Sequence, residues 1–401
     1  MKIDLISEHA SPLAPIGGAD AGGQNVHVAE LALAMGRRGH DVLVHTRRDA
    51  PDLPDRVELA PGVTVEHVPA GPARPIPKDD LLPHMPAFGE HLGRRWAVRR
   101  PEVAHAHFWL SGLAARQGAA LERLPLLQTF HALGHVKRQH QGVKDTSPPV
   151  RTHVEAELAS AVAMVIATCS DEVEELRAIG MSPERAEIVP CGVDLAQFNP
   201  DGPRAGRSMR PRLLSIGRLV ERKGVETLIH ALRDVPEAEV IVAGGPHRTR
   251  LNADPEVVRL RTIAHRCGVA DRVRFLGQVP RAEVPALFRS ADLVVSVPWY
   301  EPFGIVPAEA MACGTPVVVS AVGGHLDTVV EGETGCFVPA RRSDLLAARL
   351  RELLAAPGVR AAMGRAGACR ARARYGWDRI AERTEALYER VAARALSGAL
   401  T

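Results

Sequence analysis

The first half of the chain alternates between short apolar runs and longer segments that are apolar on one face only. Residues 24–40 show the helical pattern, with Val28, Leu31 and Met35 on one face and Gly39 as a stop. Strand-like runs cover residues 2–7, 41–46, 63–70, 103–108, 124–131, 163–169 and 186–192. Strands that alternate with helices predict a parallel sheet covered on both faces.

The same alternation starts again after residues 200–211, a polar stretch rich in Pro, Gly and Arg that we interpret as a linker. Strand-like runs in the second half cover residues 213–219, 238–245, 272–277, 293–298 and 316–324. The amphipathic segment 377–397 predicts a C-terminal helix. The chain is therefore predicted to be α/β, with two Rossmann-like, doubly wound domains.

The restart of the pattern sets the expected domain boundaries. We assign residues 1–199 to the first domain, 212–380 to the second, and 381–401 to a helix that crosses back to the first. Ligands of doubly wound sheets bind beyond the carboxyl ends of the strands. We expect the two domains to face each other across a cleft, with glycine-rich loops at strand ends on both sides.

Composition narrows the class of protein. The 401 residues are 46% hydrophobic and carry a net charge of only +3, which is typical of a globular protein without a nucleic-acid partner. No apolar run approaches the ~18 residues of a membrane span, and the first residues lack a signal-peptide core. The six cysteines are widely spaced, which predicts neither a zinc site nor a disulfide framework. We expect a cytoplasmic protein, either a monomer or a homodimer.

The first glycine-rich loop, residues 17–26, has the sequence GGADAGGQNV. Its pairs Gly17-Gly18 and Gly22-Gly23 permit close backbone approach, and the following helix would offer free amides and a positive dipole end. A diphosphate would fit there, and a flexible turn is the alternative. The loop lacks both the GxGxxG and the GK[ST] pattern, so it predicts neither a dinucleotide site nor a P-loop.

The second glycine-containing loop, residues 217–224, has the sequence GRLVERKG and lies between a predicted strand and a predicted helix. Arg218 and Lys223 would place two cations at the carboxyl end of the strand, where they could hold a diphosphate. A solvated surface loop is the alternative, because spacing alone does not distinguish the two.

The segment EPFGIVPAEA contains Glu301 and Glu309, which a loop and two helical turns keep apart. They do not form the facing pair of a two-carboxylate hydrolase. Separate roles fit better, with Glu301 bound to sugar hydroxyls and Glu309 to a ribose diol. A helix is expected to begin near Val306 or Pro307. Backbone amides at this start would face the donor phosphates and sugar, namely those of Phe303, Gly304, Ile305 and Val306.

Histidines stand at or near two of the predicted strand ends. His131 follows its strand, where we expect it to contact a ligand. His105 and His107 lie within an apolar strand, so a structural role is expected and ligand contact is the alternative.

Five motifs, in this order along the chain, resemble the retaining glycosyltransferases of family 4, which have the GT-B fold. They are GGADAGGQNVHVAELA, HAHFWLSG, VPCGVDLAQFNP, IGRLVERKG and EPFGIVPAEAMACGTPVVVSAVGG. The glutamate pair with GTPVV downstream is the specific element. The most similar groups are the inositol-phosphate N-acetylglucosaminyltransferases of mycothiol synthesis and the sucrose-phosphate synthases.

The resemblance implies a nucleotide-sugar donor held mostly by the second domain and a small-molecule acceptor held mostly by the first. It implies no metal and no other cofactor, with UDP as the favoured nucleotide and GDP or ADP as alternatives. The catalytic positions would be His131, Arg218, Lys223 and Glu301. The donor-binding positions would be Gly22, Gly23, Phe303, Gly304, Ile305, Val306 and Glu309.

The acceptor side departs from the mycothiol-type pattern. Lys78 and Arg151 match positions that meet the acceptor phosphate there, but Phe108 replaces a tyrosine and Ala132 a threonine. Two hydroxyl donors are therefore missing. Each hydrogen bond to a buried phosphate would contribute about 1.5–3 kcal/mol, so their loss argues against inositol phosphate as the acceptor. Lys137 and Arg138 add basic charge, so an anionic acceptor stays open. Two further positions are expected to face the acceptor, Asp20 and Asn25.

The leading hypothesis is a retaining transferase that moves a sugar from a nucleotide donor to a small hydroxylated acceptor, in secondary metabolism or a small-thiol pathway. The alternatives are a GT-B sugar-nucleotide epimerase, a glycan phosphorylase and a non-catalytic sugar-nucleotide-binding module. A phosphorylase would need a cofactor lysine, and Lys223 is already assigned to a phosphate motif. A binding module should have lost Glu301, His131 or Lys223, yet all three are present.

Overall fold

The computed structural model describes residues 1–14, 22–122 and 124–397. The chain divides into two compact units, a first unit of Met1–Cys191 with Trp377–Thr401 and a second unit of Gly192–Gly376. The first boundary comes before the predicted linker at 200–211. The segment after Cys191 belongs to the second unit because the backbone of Val193 pairs with Gly376, and the Val193 amide donates to the Tyr375 carbonyl.

The first unit contains a sheet of eight strands in the order β3-β4-β2-β1-β5-β6-β7-β8. Its elements are β1 (Lys2–Ile6), α1 (Gly23–Arg37), β2 (Asp41–Arg47), β3 (Arg56–Ala60), β4 (Val63–Val68), α2 (Met85–Arg99), β5 (Val103–His107), α3 (Trp109–Glu122), β6 (Leu126–Thr129), α4 (Gly134–Gln141), α5 (Arg151–Ala161), β7 (Met164–Ala167), α6 (Ser170–Ala178) and β8 (Ala186–Ile188). All neighbours are parallel except the edge strand β3, which is antiparallel to β4 and was not predicted.

The second unit contains a six-stranded, wholly parallel sheet in the order β11-β10-β9-β12-β13-β14. Its elements are β9 (Arg212–Ile216), α7 (Val225–Leu232), β10 (Glu239–Ala243), α8 (Pro255–Arg266), β11 (Val273–Gly277), α9 (Val284–Ser290), β12 (Leu293–Ser296), α10 (Ile305–Ala312), β13 (Val317–Ser320), α11 (His325–Thr328), β14 (Gly335–Val338), α12 (Ser343–Ala355) and α13 (Pro357–Arg374). Every strand predicted for this half is confirmed, and β14 is additional.

The C-terminal helix α14 (Trp377–Leu396) belongs to the first unit. Its Ile380 and Tyr388 lie in one apolar cluster with Val28 and Leu31 of α1. The apolar stripe of α14 therefore completes the core on one face of the first sheet. None of the helices within the described ranges is long and apolar enough to cross a membrane.

A buried network of charges lies within the first sheet. The His45 imidazole sits between two carboxylates, with Nε2 2.8 Å from Asp4 and Nδ1 3.0 Å from Glu66. Arg99 adds a charge 2.6 Å from Asp4. Burial alone would lower the pKa of His45, but the two carboxylates raise it to about 9. Burial would raise the pKa values of Asp4 and Glu66, but their cationic partners lower both.

This network predicts a pH window for stability. The folded pKa of His45, about 9, exceeds the ordinary 6.5, so its stabilisation is complete below about pH 6.5 and is lost as the pH rises through 9. The carboxylates stabilise above their ordinary pKa values and lose that contribution as the pH falls. Melting temperature against pH should therefore peak on the mildly acidic side of neutrality.

Replacement of His45 tests the same network at constant pH. His45→Gln at pH 6.5 should cost about 3 kcal/mol, because it leaves buried carboxylates without their shared partner. The control is His153→Gln, since the His153 side chain is 74% exposed. Equal effects of the two variants in denaturant titrations would contradict the role given to His45.

Candidate functional site

The loop after β9 is shaped by glycine. Gly224 has φ +72, and a Cβ there would lie 2.0 Å from the carbonyl oxygen of Val297. Only glycine permits this approach. The turn that carries Lys223 is thereby pressed against the end of β12, and β9 and β12 are neighbours in the sheet.

Lys223 and Glu301 meet in an ion pair across these two strand ends. Both side chains are largely buried, with 22% of Lys223 and 14% of Glu301 exposed. Burial would raise the pKa of Glu301, but Lys223, Arg222 and His325 together lower it to about 2. Burial lowers the pKa of Lys223, while Glu301 opposes that shift. Glu301 is therefore ionised at neutral pH beside a lysine ammonium.

The start of α10 faces the same region. The helix begins at Ile305, one residue before Val306 and two before Pro307, the two predicted starts, and its N-cap Gly304 has φ +86. A Cβ on Gly304 would lie 2.5 Å from Cδ2 of His325, so this position requires glycine. The first amides of a helix lack intrahelical partners and can bind an anion or an oxygen.

Close backbone contacts hold the Glu301 loop in place. A Cβ on Gly323 would lie 2.1 Å from the Glu301 carbonyl, and one on Gly324 would lie 2.2 Å from the Phe303 carbonyl. These two glycines, at the end of the GTPVVVSAVGG stretch, therefore allow the backbone of the Glu301 loop to pack closely against them.

Glu309 lies in the middle of α10 and is 2% exposed. Its carboxylate pairs with Arg281, a residue that sequence reasoning missed. Burial raises the pKa of Glu309, and the Arg281 charge opposes the shift. Arg281 also lies 4.4 Å from the Phe198 ring, so it is fixed on both sides. Nothing in the spacing of Arg281 from Glu309 signals this contact.

His325 was also missed. It is fully buried, its Nδ1 lies 3.0 Å from the carbonyl oxygen of Ser320, and its Nε2 has no hydrogen-bond partner among the residues that the structure describes. Burial lowers its pKa to about 4, so the ring is neutral at pH 7. Its Nδ1 must therefore carry the proton, and a lone pair at Nε2 is left beside Gly304.

In the first unit, Gly17, Gly18 and Asp20 lie outside the described residues. Gly22 is the N-cap of α1, which begins at Gly23, and among the described residues no heavy atom lies within 4 Å of a Cβ placed on either glycine. Asn25 is 4% exposed. Its Oδ1 accepts from the Gly22 amide at 3.1 Å and its Nδ2 donates to the Ser11 carbonyl at 3.0 Å. Asn25 thus fixes the end of the loop.

Two adjacent strands end in left-handed residues that are not glycine. Phe108 follows β5 with φ 81, and His131 follows β6 with φ 60. Such conformations are costly for side-chain-bearing residues and concentrate at functional sites. His107 Nδ1 lies 3.0 Å from His131 Nε2, and burial lowers the pKa values of both histidines. His131 is therefore a neutral, oriented side chain.

His105 has a different environment from His107. Its Nδ1 lies 2.7 Å from the Tyr388 hydroxyl, and its Nε2 lies 2.9 Å from the Thr129 hydroxyl. Thr129 in turn donates to the Ile166 carbonyl at 2.8 Å. Both ring nitrogens of His105 are used inside the unit.

The predicted acceptor-side cations all have acidic partners. Arg151 is 2% exposed, contacts Glu155 at 2.7 Å, and donates to the Ala132 carbonyl. Lys137 contacts Asp145 at 2.9 Å, and Lys78 lies 3.9 Å from Asp79. The guanidinium of Arg151 also lies 4.9 Å from the centre of the Phe108 ring.

Glu8 and His9, directly after β1, are polar residues that sequence reasoning missed. The Glu8 carboxylate lies 2.6 Å from His9 Nδ1 and accepts from the Ser111 hydroxyl. The residue order "SEH" at the end of a buried strand could have signalled them, since strand ends carry ligand contacts. Within the ranges that the structure describes, no three His, Cys, Asp or Glu side chains are grouped to hold a metal ion.

Comparison with known protein families matches both units. Residues 21–197 match the family model described as Glycosyltransferase Family 4, and residues 203–370 match Glycosyl transferases group 1. Two relatives bear the name D-inositol 3-phosphate glycosyltransferase. The one from Xylanimonas cellulosilytica is 38% identical over 95% of this chain and 94% of its own length. The one from Streptomyces bingchenggensis is 36% identical over 96% and 89%.

Among solved structures, the sucrose-phosphate synthase of Thermosynechococcus elongatus has a TM-score of 0.90. It is 33% identical, over 98% of this chain and 99% of that one. Two Rossmann-like parallel sheets with this site define a GT-B glycosyltransferase that uses a nucleotide-sugar donor. The chain belongs to glycosyltransferase family 4.

Removal of either cation at the β9 loop should slow the enzyme. If the leaving diphosphate binds at this loop, Arg218→Ala and Lys223→Ala should each lower kcat by about 10²–10³-fold, because each variant would lack a charge that stabilises it. Initial rates of nucleotide release measure the effect. Lys223→Ala should also lower the melting temperature, since it leaves Glu301 buried without its partner.

The control for this pair is Arg365→Ala, an exposed cation of the second unit on α13. It should change neither kcat nor melting temperature. A near-normal kcat in Arg218→Ala or Lys223→Ala would remove the basis for placing the diphosphate at this loop.

Proposed function

We propose that this protein is a retaining glycosyltransferase that moves a sugar from a nucleoside diphosphate, with UDP favoured, to a hydroxyl of a small polyhydroxylated acceptor. The observation that carries the proposal is the Lys223–Glu301 ion pair beside the bare helix start at Gly304. The names of the relatives, D-inositol 3-phosphate glycosyltransferase and sucrose-phosphate synthase, support an acceptor that is small and rich in hydroxyls.

The donor diphosphate would bind at the β9 loop. Lys223 has three ammonium donors and Glu301 occupies one of them, so the others can bind phosphate oxygens. Arg218 lies on the same loop and adds a second positive charge. The amides at the start of α10 would add dipoles directed at the same anion.

The two glutamates would bind the two sugar rings of the donor, the transferred sugar and the ribose. Glu301 is ionised and can accept hydrogen bonds from two adjacent sugar hydroxyls. Glu309, held by Arg281, would accept from the ribose diol. The neutral His131, oriented by His107, would contact the transferred sugar from the first unit.

Chemistry would proceed without an enzyme nucleophile. The C1–O bond to the diphosphate breaks while the acceptor oxygen bonds to C1 on the same face, and the departing phosphate oxygen takes the acceptor proton. The protein's contribution would be electrostatic, since Lys223 and Arg218 stabilise the negative charge that develops on the diphosphate. We further propose that these cations replace a divalent metal.

Nucleotide selectivity and metal independence are tested on the wild-type protein. UDP should raise the melting temperature more than GDP or ADP at equal concentration, since a ligand of the native state stabilises it. Treatment with EDTA should leave the rate of nucleotide release unchanged. A rate that falls with EDTA and returns with Mg²⁺ or Mn²⁺ would contradict the metal-free proposal.

The stereochemical outcome is tested by proton NMR of the product. A donor with an α-linked sugar should give an α-glycoside from the first turnover onwards. A β-glycoside would overturn the retaining mechanism. Conversion of the sugar without release of nucleotide would indicate an epimerase, and binding without either change would indicate a binding module.

A further inference from the structure

The carboxyl ends of three neighbouring strands place the polar residues Glu8 and His9 beside the residues that are expected to bind the acceptor. β1 lies next to β5, and β5 lies next to β6. Glu8 and His9 follow β1, Phe108 follows β5, and Ala132 follows β6. The His9 ring contacts the Phe108 ring edge-on, with 4.8 Å between the ring centres. His9 therefore stands in the same small region as the positions expected to meet the acceptor.

Glu8 fixes the orientation of His9. Its carboxylate is completely buried and lies 2.6 Å from His9 Nδ1, whose side chain is 10% exposed. The other carboxylate oxygen accepts from the Ser111 hydroxyl, and the Glu8 amide donates to Ser111 Oγ at 3.0 Å. A carboxylate can only accept, so Nδ1 of His9 carries a proton. In the neutral ring the lone pair then lies at Nε2, where a ligand hydroxyl can donate.

Four cations near these positions share three acidic partners. Each cation has an acidic neighbour within 4 Å, in the pairs Lys78–Asp79, Lys137–Asp145, Arg138–Asp145 and Arg151–Glu155. Arg151 is the most deeply buried of these cations and also donates to Ser147 and to the Ala132 carbonyl. A phosphate bound here would share these cations with their carboxylate partners, and Glu8 adds a further buried acid beside His9.

Positions 108 and 132 have no hydroxyl that could donate to a phosphate. Phe108 presents a ring and Ala132 a methyl group. The Phe108 ring is enclosed by His9 on one side and by the Arg151 guanidinium, 4.9 Å from its centre, on another. Phe108 is 5% exposed, and its ring has no group that could donate a hydrogen bond to a phosphate.

We infer that the acceptor of this enzyme is an uncharged polyhydroxyl compound, a polyol or sugar ring, that donates a hydroxyl hydrogen bond to His9 and carries no phosphate against Phe108. The inference rests on the proposed function. It sets the protein apart from relatives whose names specify D-inositol 3-phosphate. His9 is the specificity-determining residue, and Glu8 is the positioning residue that acts through it.

Paired acceptors test the substrate class. Inositol is compared with inositol 3-phosphate, and a hexose with its 6-phosphate, by kcat/KM for nucleotide release and by melting-temperature shift with UDP bound. The unphosphorylated member of a pair should be preferred by about 10-fold or more, equivalent to ~1.4 kcal/mol. Preference for the phosphate ester, or no preference for either member, would overturn the inference.

Two variants locate the cause of the preference. Glu8→Gln keeps the hydrogen-bonding shape but removes the buried charge, and should reduce the preference by about 10-fold. His9→Gln should lower kcat/KM for the unphosphorylated acceptor by about 10-fold while nucleotide affinity stays constant. The matched control is Glu90→Gln, because the Glu90 side chain is 63% exposed on α2. A preference unchanged in Glu8→Gln would contradict the role of that carboxylate.

Failure of the inference can be distinguished from failure of the proposed function. If the wild-type protein neither binds nor cleaves any nucleotide sugar, the proposed function fails before an acceptor is added. If it binds and cleaves the donor but prefers phosphorylated acceptors, only the inference fails. Loss of nucleotide affinity in His9→Gln would place His9 at the donor and would also overturn it.

Discussion

A lysine ammonium and a glutamate carboxylate, 78 positions apart in the chain, form an ion pair at the carboxyl ends of two neighbouring strands. The pair is largely buried, and removal of either partner would leave a charge without compensation. Its geometry depends on glycines where a side chain would collide with backbone, above all Gly224 against Val297 and Gly323 against Glu301. Lys223 and Glu301 thus constrain the local fold as well as the chemistry proposed for the second unit.

The second unit presents charges at the loop after β9, whereas the first unit presents neutral imidazoles at the ends of β5 and β6. Its strained positions, Phe108 and His131, lie at the ends of adjacent strands, and His131 is oriented by another histidine. Burial keeps these imidazoles uncharged, as the lowered pKa values of His107 and His131 indicate. A neutral surface of this kind is suited to an oriented hydroxyl group, whereas an anion is better matched by the Lys223 loop.

The periodic pattern was sufficient to predict the fold class, the parallel strands of both sheets apart from β14, and the start of α10 to within one or two residues. It missed β3, whose alternation of charged and apolar residues is short and lies on an edge. It missed β14, only four residues long, because strands of that length give little pattern. Predicted strands ran past the observed ends, as in 186–192 against β8 (Ala186–Ile188). The division at Cys191 follows from backbone pairing of Val193 with Gly376.

Motif spacing likewise identified only part of the candidate site. Motif spacing singled out Lys223 and Glu301, which the fold does bring together. It did not find Arg281 at Glu309 or Glu8 at His9, because those contacts depend on packing and on side-chain direction rather than on sequence distance. The roles of these residues toward substrates stay predictions, and Asp20 lies outside the described residues.

The central claim is that Glu301 binds the sugar while Lys223 binds the phosphates. Isothermal titration of Glu301→Gln with the nucleoside diphosphate and with its sugar conjugate tests it most directly. The diphosphate should bind nearly as in the wild type, whereas the sugar conjugate should lose about 10-fold or more in affinity, ~1.4 kcal/mol. Equal weakening of both ligands, or of neither, would contradict it.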